Sequence, residues 1–86
     1  MTFDGSVITE QGVTFAIVVV KENVINNSHE ANETIASFRR VFGSKPIILM
    51  AQNYQGRPTY YGRKDIVNFL ANVPMEAIPW KQYTVS

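Results

Sequence analysis

Phe15-Ala16-Ile17-Val18-Val19-Val20 and Pro46-Ile47-Ile48-Leu49-Met50-Ala51 are two unbroken apolar runs on either side of one amphipathic helical stretch. A strand with one wet face alternates apolar and polar residues, whereas a continuous run rich in β-branched side chains expects cover on both faces. The reading is strand, helix, strand, with a sheet buried on both sides.

The helix between the runs is marked at both ends. Asn27 as N-cap places Glu30 at the third helical position, the reciprocal capping arrangement, and Glu30 and Glu33 favour the positive end of the helix dipole. Ala31, Ile35, Phe38 and Phe42 recur at steps of four, three and four residues and form one apolar stripe. Arg39 and Arg40 fall in the last turn, Gly43 suits a positive-φ cap, and Lys45-Pro46 forbids continuation.

Upstream, Ser6-Val7-Ile8-Thr9 and Val13-Thr14-Phe15 flank Glu10-Gln11-Gly12, which predicts a hairpin leading into the first long strand. The segment Lys21 to Ser28 reads as a polar, Asn-rich connection. Downstream, Asn53-Tyr54-Gln55-Gly56-Arg57-Pro58 is a turn before a short strand at Thr59-Tyr60-Tyr61. Gly62 then caps a helix with Ile66, Val67, Phe69, Leu70 and Val73 on one face, closed by Pro74. Residues 75–86 predict an edge strand, over Trp80 to Val85, or a docked tail. The expected fold is α+β, one domain over residues 1–86, with a mixed sheet in ββαββα(β) order and two amphipathic helices. A faint echo between Gln11-Gly12-Val13-Thr14-Phe15 and Gln55-Gly56-Arg57-Pro58-Thr59-Tyr60 adds little, because helical periodicity accounts for much of the accompanying similarity between the helices.

Two arrangements cover the sheet. If both helices lie on one face, as in a split βαβ or ferredoxin-like layout, a second subunit must cover the other, which predicts a homodimer. If they lie on opposite faces, a monomer suffices. For the second arrangement, the proline-led strand, hairpin, Gly and final amphipathic helix over Pro46 to Val73 resemble the carboxyl half of a thioredoxin-like domain. The Cys-x-x-Cys of that family would fall near Glu22 to Ser28, where this chain has none, so the resemblance implies a redox-inactive domain.

Composition narrows the chemistry. A chain of 86 residues with 45% hydrophobic and 17% charged residues expects a folded core near the lower limit of self-sufficient size. Cysteine is absent and only one His is present, so thiol chemistry, disulfides and His- or Cys-based zinc sites are excluded, and no cofactor is expected. Eight Lys and Arg against seven Asp and Glu give a net charge of +1, little support for a dedicated polyanion binder. Met1-Thr2-Phe3-Asp4-Gly5 has neither a basic nor an apolar leader region, and no run suits a membrane span, so the cytoplasm is the expected location.

His29 is the one side chain with ordinary titration near neutrality, but it sits at a helix start, where the dipole does not favour a cation, and spacing supplies no nucleophile beside it. Tyr54, Tyr60 and Tyr61 interleave with Arg57, Arg63 and Lys64, a mixture of flat aromatic faces and fork-shaped donors suited to bases, phosphates or protein partners. The plainer reading is a β-hairpin whose tyrosines pack on the sheet. The βαββα order with an aromatic strand is similar to an RNA-recognition motif, which would imply base stacking on the sheet, although Phe15 to Val20 offers mainly aliphatic residues where that motif wants a stacking aromatic. Gly62-Arg63-Lys64 would suit an anion at a helix start. Trp80 suits a partner anchor or the seal of a small core. The expected function is a non-catalytic interaction or assembly module that self-associates. RNA or anion binding through Tyr54, Arg57, Tyr60, Tyr61, Arg63, Lys64 and Trp80 is the alternative.

Overall fold

In a computed structural model that describes all 86 residues, the two apolar runs lie side by side as parallel strands β2 (Val13–Val19) and β3 (Ile47–Gln52), with Ala16 opposite Ile47 and Val19 opposite Met50. The chain crosses between them through a four-residue helix α1 (Glu22–Ile25) and the long helix α2 (Ser28–Phe42). β1 (Thr2–Glu10) lies antiparallel on β2 across the Gln11-Gly12 turn, and β4 (Pro58–Tyr61) lies antiparallel on β3. Helix α3 (Lys64–Leu70) and a 3₁₀ turn at Met75–Ala77 lead to β5 (Lys81–Thr84), which pairs antiparallel with the first half of β1. The five strands stand in the order β4-β3-β2-β1-β5, a mixed sheet with the expected ββαββα(β) sequence of elements. No helix is long and apolar enough to cross a membrane.

Period-two alternation divides the two central runs between two cores. Ala16, Val18, Ile47 and Leu49 point one way and bury Ala31, Phe38 and Phe42 of α2. Phe15, Ile17, Ile48 and Met50 point the other way and bury Ile66 and Leu70 of α3 together with Ile78. The helices therefore cover opposite faces. The one-sided layout is not the one adopted, and with it goes its reason for a second subunit, because the chain covers both faces of its own sheet.

α2 has Asn27 and Gly43 at its ends as expected: Asn27 Oδ1 accepts from Glu30 N at 3.1 Å, without the reciprocal bond from Asn27 N to the Glu30 carboxylate, and Gly43 ends the helix at φ 72°. The tail is an edge strand. Tyr83 of β5 stacks on Phe3 of β1 at 5.2 Å, and the Phe3 ring meets Phe38 edge-on at 4.8 Å, which ties both chain ends to α2.

Three local expectations need correction. β1 begins at Thr2 rather than Ser6, because pairing with β5 recruits Thr2 to Gly5 despite poor strand formers at Asp4 and Gly5. The Lys21 to Ser28 segment is not all connection: α1 turns Val24 and Ile25 onto the α2-side core. The position before α3 is held by Arg63, without a side-chain cap bond, rather than by Gly62. Gly62 is needed for a different reason: at φ 153°, a Cβ there would stand 2.5 Å from Ile48 Cδ1.

Candidate functional site

A recess of ≈570 Å³ lies beside α2, a groove between that helix, the α2–β3 loop and the end of β4. Asn32, Ile35 and Arg39 recur at helical spacing along one side of α2 and form one wall. Ser44, Lys45 and Pro46 form the floor where β3 begins, and Tyr61, Gly62 and Arg63 close the far side. Tyr61 reaches the groove because its register partner is Leu49, whose side chain faces α2. Its hydroxyl donates to Asn32 Oδ1 at 3.1 Å and bridges the two walls.

Three of the eight cationic side chains, Arg39, Lys45 and Arg63, line this groove, and no carboxylate does. Lys45 Nζ donates to Phe42 O at 3.3 Å, which sets an ammonium at the negative end of the helix dipole. Arg63 forks onto Asp65, with Nε to Oδ1 and Nη2 to Oδ2 both 2.8 Å. That hydrogen-bonded pairing holds the Asp65 carboxyl below the usual carboxylate range and pushes the Arg63 guanidinium up. Arg39 has no carboxylate within ion-pair distance; the close contacts of that kind are His29 Nε2 with Glu33 and Arg63 with Asp65. Such a site can attract and orient an anionic group through guanidinium, ammonium and side-chain amide N–H donors.

The residues singled out from the sequence do not share one surface. Tyr60 and Tyr61 alternate across the sheet: Tyr60 packs on the α3 side and Tyr61 on the α2 side. Arg57 and Tyr60 line a separate cavity of ≈420 Å³ against α3. The Tyr60 hydroxyl is buried without a hydrogen-bond partner, and burial raises its pKa. Tyr54 is 94% exposed at the tip of the β3–β4 turn, where Asn53 Oδ1 accepts from the backbone of Gln55 and Arg57. Lys64 opens α3 on the exposed surface. Trp80 packs on the α3-side core, with its indole N–H donating to Met75 O at 3.0 Å. The base-stacking platform implied by the RNA-recognition resemblance needs a bare sheet face, and helices cover both.

Only Tyr61 and Arg63 of the predicted set enter the groove. Asn32, Arg39 and Lys45 were not singled out as binding residues, although the spacing of Asn32, Ile35 and Arg39 was available as a signal. His29 is 86% exposed on the outer side of α2, paired with Glu33 at 2.7 Å. No protein-family model, no curated protein and no solved structure matches this chain.

Proposed function

We propose that this chain is a non-catalytic binding module that uses the groove beside α2 to hold a phosphate-type anionic group on its partner. The observation that carries the reading is the convergence of Arg39, Lys45 and Arg63 on a groove with no carboxylate in its lining. On a chain of net charge +1, this makes the positive field local rather than global. Arg39 supplies an unpaired planar fork for two oxygens, Lys45 a point charge, and Tyr61 and Asn32 polar groups that set orientation. Ile35, Pro46 and Ile47 add apolar wall for the body that carries the anion.

Titration with inorganic pyrophosphate, followed by backbone amide shifts at low and at near-physiological salt, tests this reading. Shifts confined to residues 32–47 and 61–63, weakened by salt and lost in Arg39→Ala, are the expected result. Absence of any shift at low salt would overturn it.

A further inference from the structure

β4 is an outer strand of the sheet, and hydrogen bonds elsewhere decide which of its backbone groups face outward. Ala16 N donates to Pro46 O at 2.9 Å and Val20 N to Met50 O at 2.8 Å, so the even-numbered residues of β3 turn toward β2 and the odd-numbered ones toward β4. Asn53 N donates to Arg57 O at 3.0 Å, which carries the same parity into the β3–β4 turn. With Ala51 opposite Thr59 and Leu49 opposite Tyr61, the odd-numbered residues of β4 hold the ladder. The Pro58 carbonyl, the Tyr60 N–H and carbonyl and the Gly62 N–H therefore point away from the sheet. No turn, loop or cap bond takes them up, and Pro58 and Thr59 are exposed with Tyr60 to Gly62 partly so.

This edge runs between two recesses on opposite faces. The basic groove lies on the α2 side, with Tyr61, Gly62 and Arg63 as its wall. The cavity of ≈420 Å³ lies on the α3 side, where Tyr60, Val67, Leu70, Ala71 and Val73 line it. A strand laid along β4 alternates its side chains between the two. The one opposite Tyr61 stands on the α2 side beside the cations, and those opposite Tyr60 and Pro58 stand on the apolar α3 side.

Charge selects the occupant. A second copy has to pair even-numbered residues with even-numbered ones. A two-fold axis at Tyr60 sets Arg57 of each copy against Arg63 of the other, and an axis at Tyr61 brings two basic grooves together. An axis at Thr59 leaves the Tyr60 carbonyl opposite Pro58, which has no N–H to give. An anionic strand meets none of these obstacles.

Resting on the anion reading of the groove, we infer that β4 pairs with an extended peptide of a partner protein that carries a phosphorylated side chain opposite Tyr61 and apolar side chains opposite Tyr60 and Pro58. The pairing is antiparallel, the more stable arrangement. Such a strand accepts from Gly62 N, exchanges two hydrogen bonds with Tyr60 and donates to Pro58 O, so it asks nothing of the proline nitrogen. Main-chain bonds hold the peptide, and the two recesses select its alternate side chains.

The probe is an acetylated, amidated peptide of valine, phosphoserine, valine, threonine and valine. Calorimetric titration is expected to show binding that weakens about tenfold or more in Arg39→Ala, or when serine replaces phosphoserine. A methyl group on the amide nitrogen of the central valine removes the bond to Tyr60 O and is expected to abolish binding. The same group on the threonine nitrogen, which faces away from β4, leaves most of it. Hydrogen exchange at the Tyr60 and Gly62 amides is expected to slow several-fold with saturating peptide while that of Tyr54 does not. Equal binding of the two methylated peptides, or unchanged exchange at Tyr60, overturns the inference. No peptide binding by a protein whose groove still responds to pyrophosphate overturns the strand pairing alone, and no response to either overturns the anion reading with it. Exchange at Tyr60 that slows with protein concentration in the absence of peptide gives the edge to a second copy and also overturns the inference.

Discussion

Tyr60 and Tyr61, neighbours in the chain, stand on opposite faces of the sheet, one opposite Met50 and the other opposite Leu49. Their hydroxyls meet opposite fates: that of Tyr60 is buried without a partner, while that of Tyr61 donates to Asn32. Removing an unpaired buried hydroxyl relieves its desolvation, so Tyr60→Phe is expected to be neutral or to stabilise by up to about 1 kcal/mol. Tyr61→Phe loses an exposed hydrogen bond and is expected to cost about 0.5–1 kcal/mol. Urea denaturation of the two variants checks the contrast.

The same burial fixes an alkaline effect. The folded-state pKa of Tyr60 is raised above its ordinary value by desolvation, so below about pH 10 its contribution is fully present. As pH rises past that point the unfolded chain ionises first, and stability falls until the folded tyrosine also titrates. Tyr60→Phe is expected to flatten this loss, as read from melting temperatures across the alkaline range beside wild type.

Phe38 joins the α2 stripe to the β1 end of the sheet through the Phe3 ring, and it is buried with Ala31 and Phe42. Phe38→Ala empties part of this cluster and is expected to cost about 3–5 kcal/mol. A domain of this size has a total stability of about 5–15 kcal/mol, so the variant sits near the folding threshold. Circular dichroism in urea reads the shift in midpoint.

What the sequence made legible follows from the range of the interactions involved. α2 was readable to its caps because Asn27, Glu30 and Gly43 act within one turn of the helix ends. β2 and β3 were readable because their apolar runs demand burial whatever covers them. The strand character of Thr2 to Gly5 was hidden because it depends on β5, nearly the whole chain away. α1 was hidden because a helix of four residues carries too little periodicity to register. The faces taken by α2 and α3 could not be chosen, because the same apolar stripes satisfy either layout. The groove escaped notice for a related reason: Arg39, Lys45 and Arg63 belong to three segments, and each has a sufficient local explanation as a helix-end charge, a pre-proline residue or a capping neighbour.

Gly62 and Gly12 both adopt positive φ, at 153° and 78°, yet only the first is crowded. A Cβ at Gly62 would meet Ile48 Cδ1 at 2.5 Å and Ile47 O at 3.1 Å, whereas one at Gly12 meets nothing within 4 Å. Gly12→Ala is therefore expected to cost only backbone strain, about 1–2 kcal/mol. Gly62→Ala adds overpacking of about 1–3 kcal/mol against Ile48, which faces the α3-side core. Equal melting temperatures for the two variants would remove the close approach as the reason for glycine at position 62.

The bidentate contact between Arg63 and Asp65 competes with any anion in the groove, because it engages the Nε/Nη2 edge of the guanidinium and sets a carboxylate charge beside it. Asp65→Asn is expected to free Arg63 and tighten binding of sulfate several-fold, while Arg39→Ala weakens it. Arg40→Ala, one helical position away and outside the groove lining, leaves it unchanged. Lowering pH does to wild type what Asp65→Asn does by mutation. The folded carboxyl is held below the usual carboxylate range, so its contribution to stability is present above the unfolded carboxylate pKa and is lost as pH falls through the folded one. Arg63 is released over that same acid window, and sulfate is expected to bind more tightly as the pH enters it. Calorimetric titration of wild type and Asp65→Asn from neutral to acid pH reads the two curves. They are expected to converge at the acid end, and parallel curves would mean that Arg63 takes no part in holding the anion.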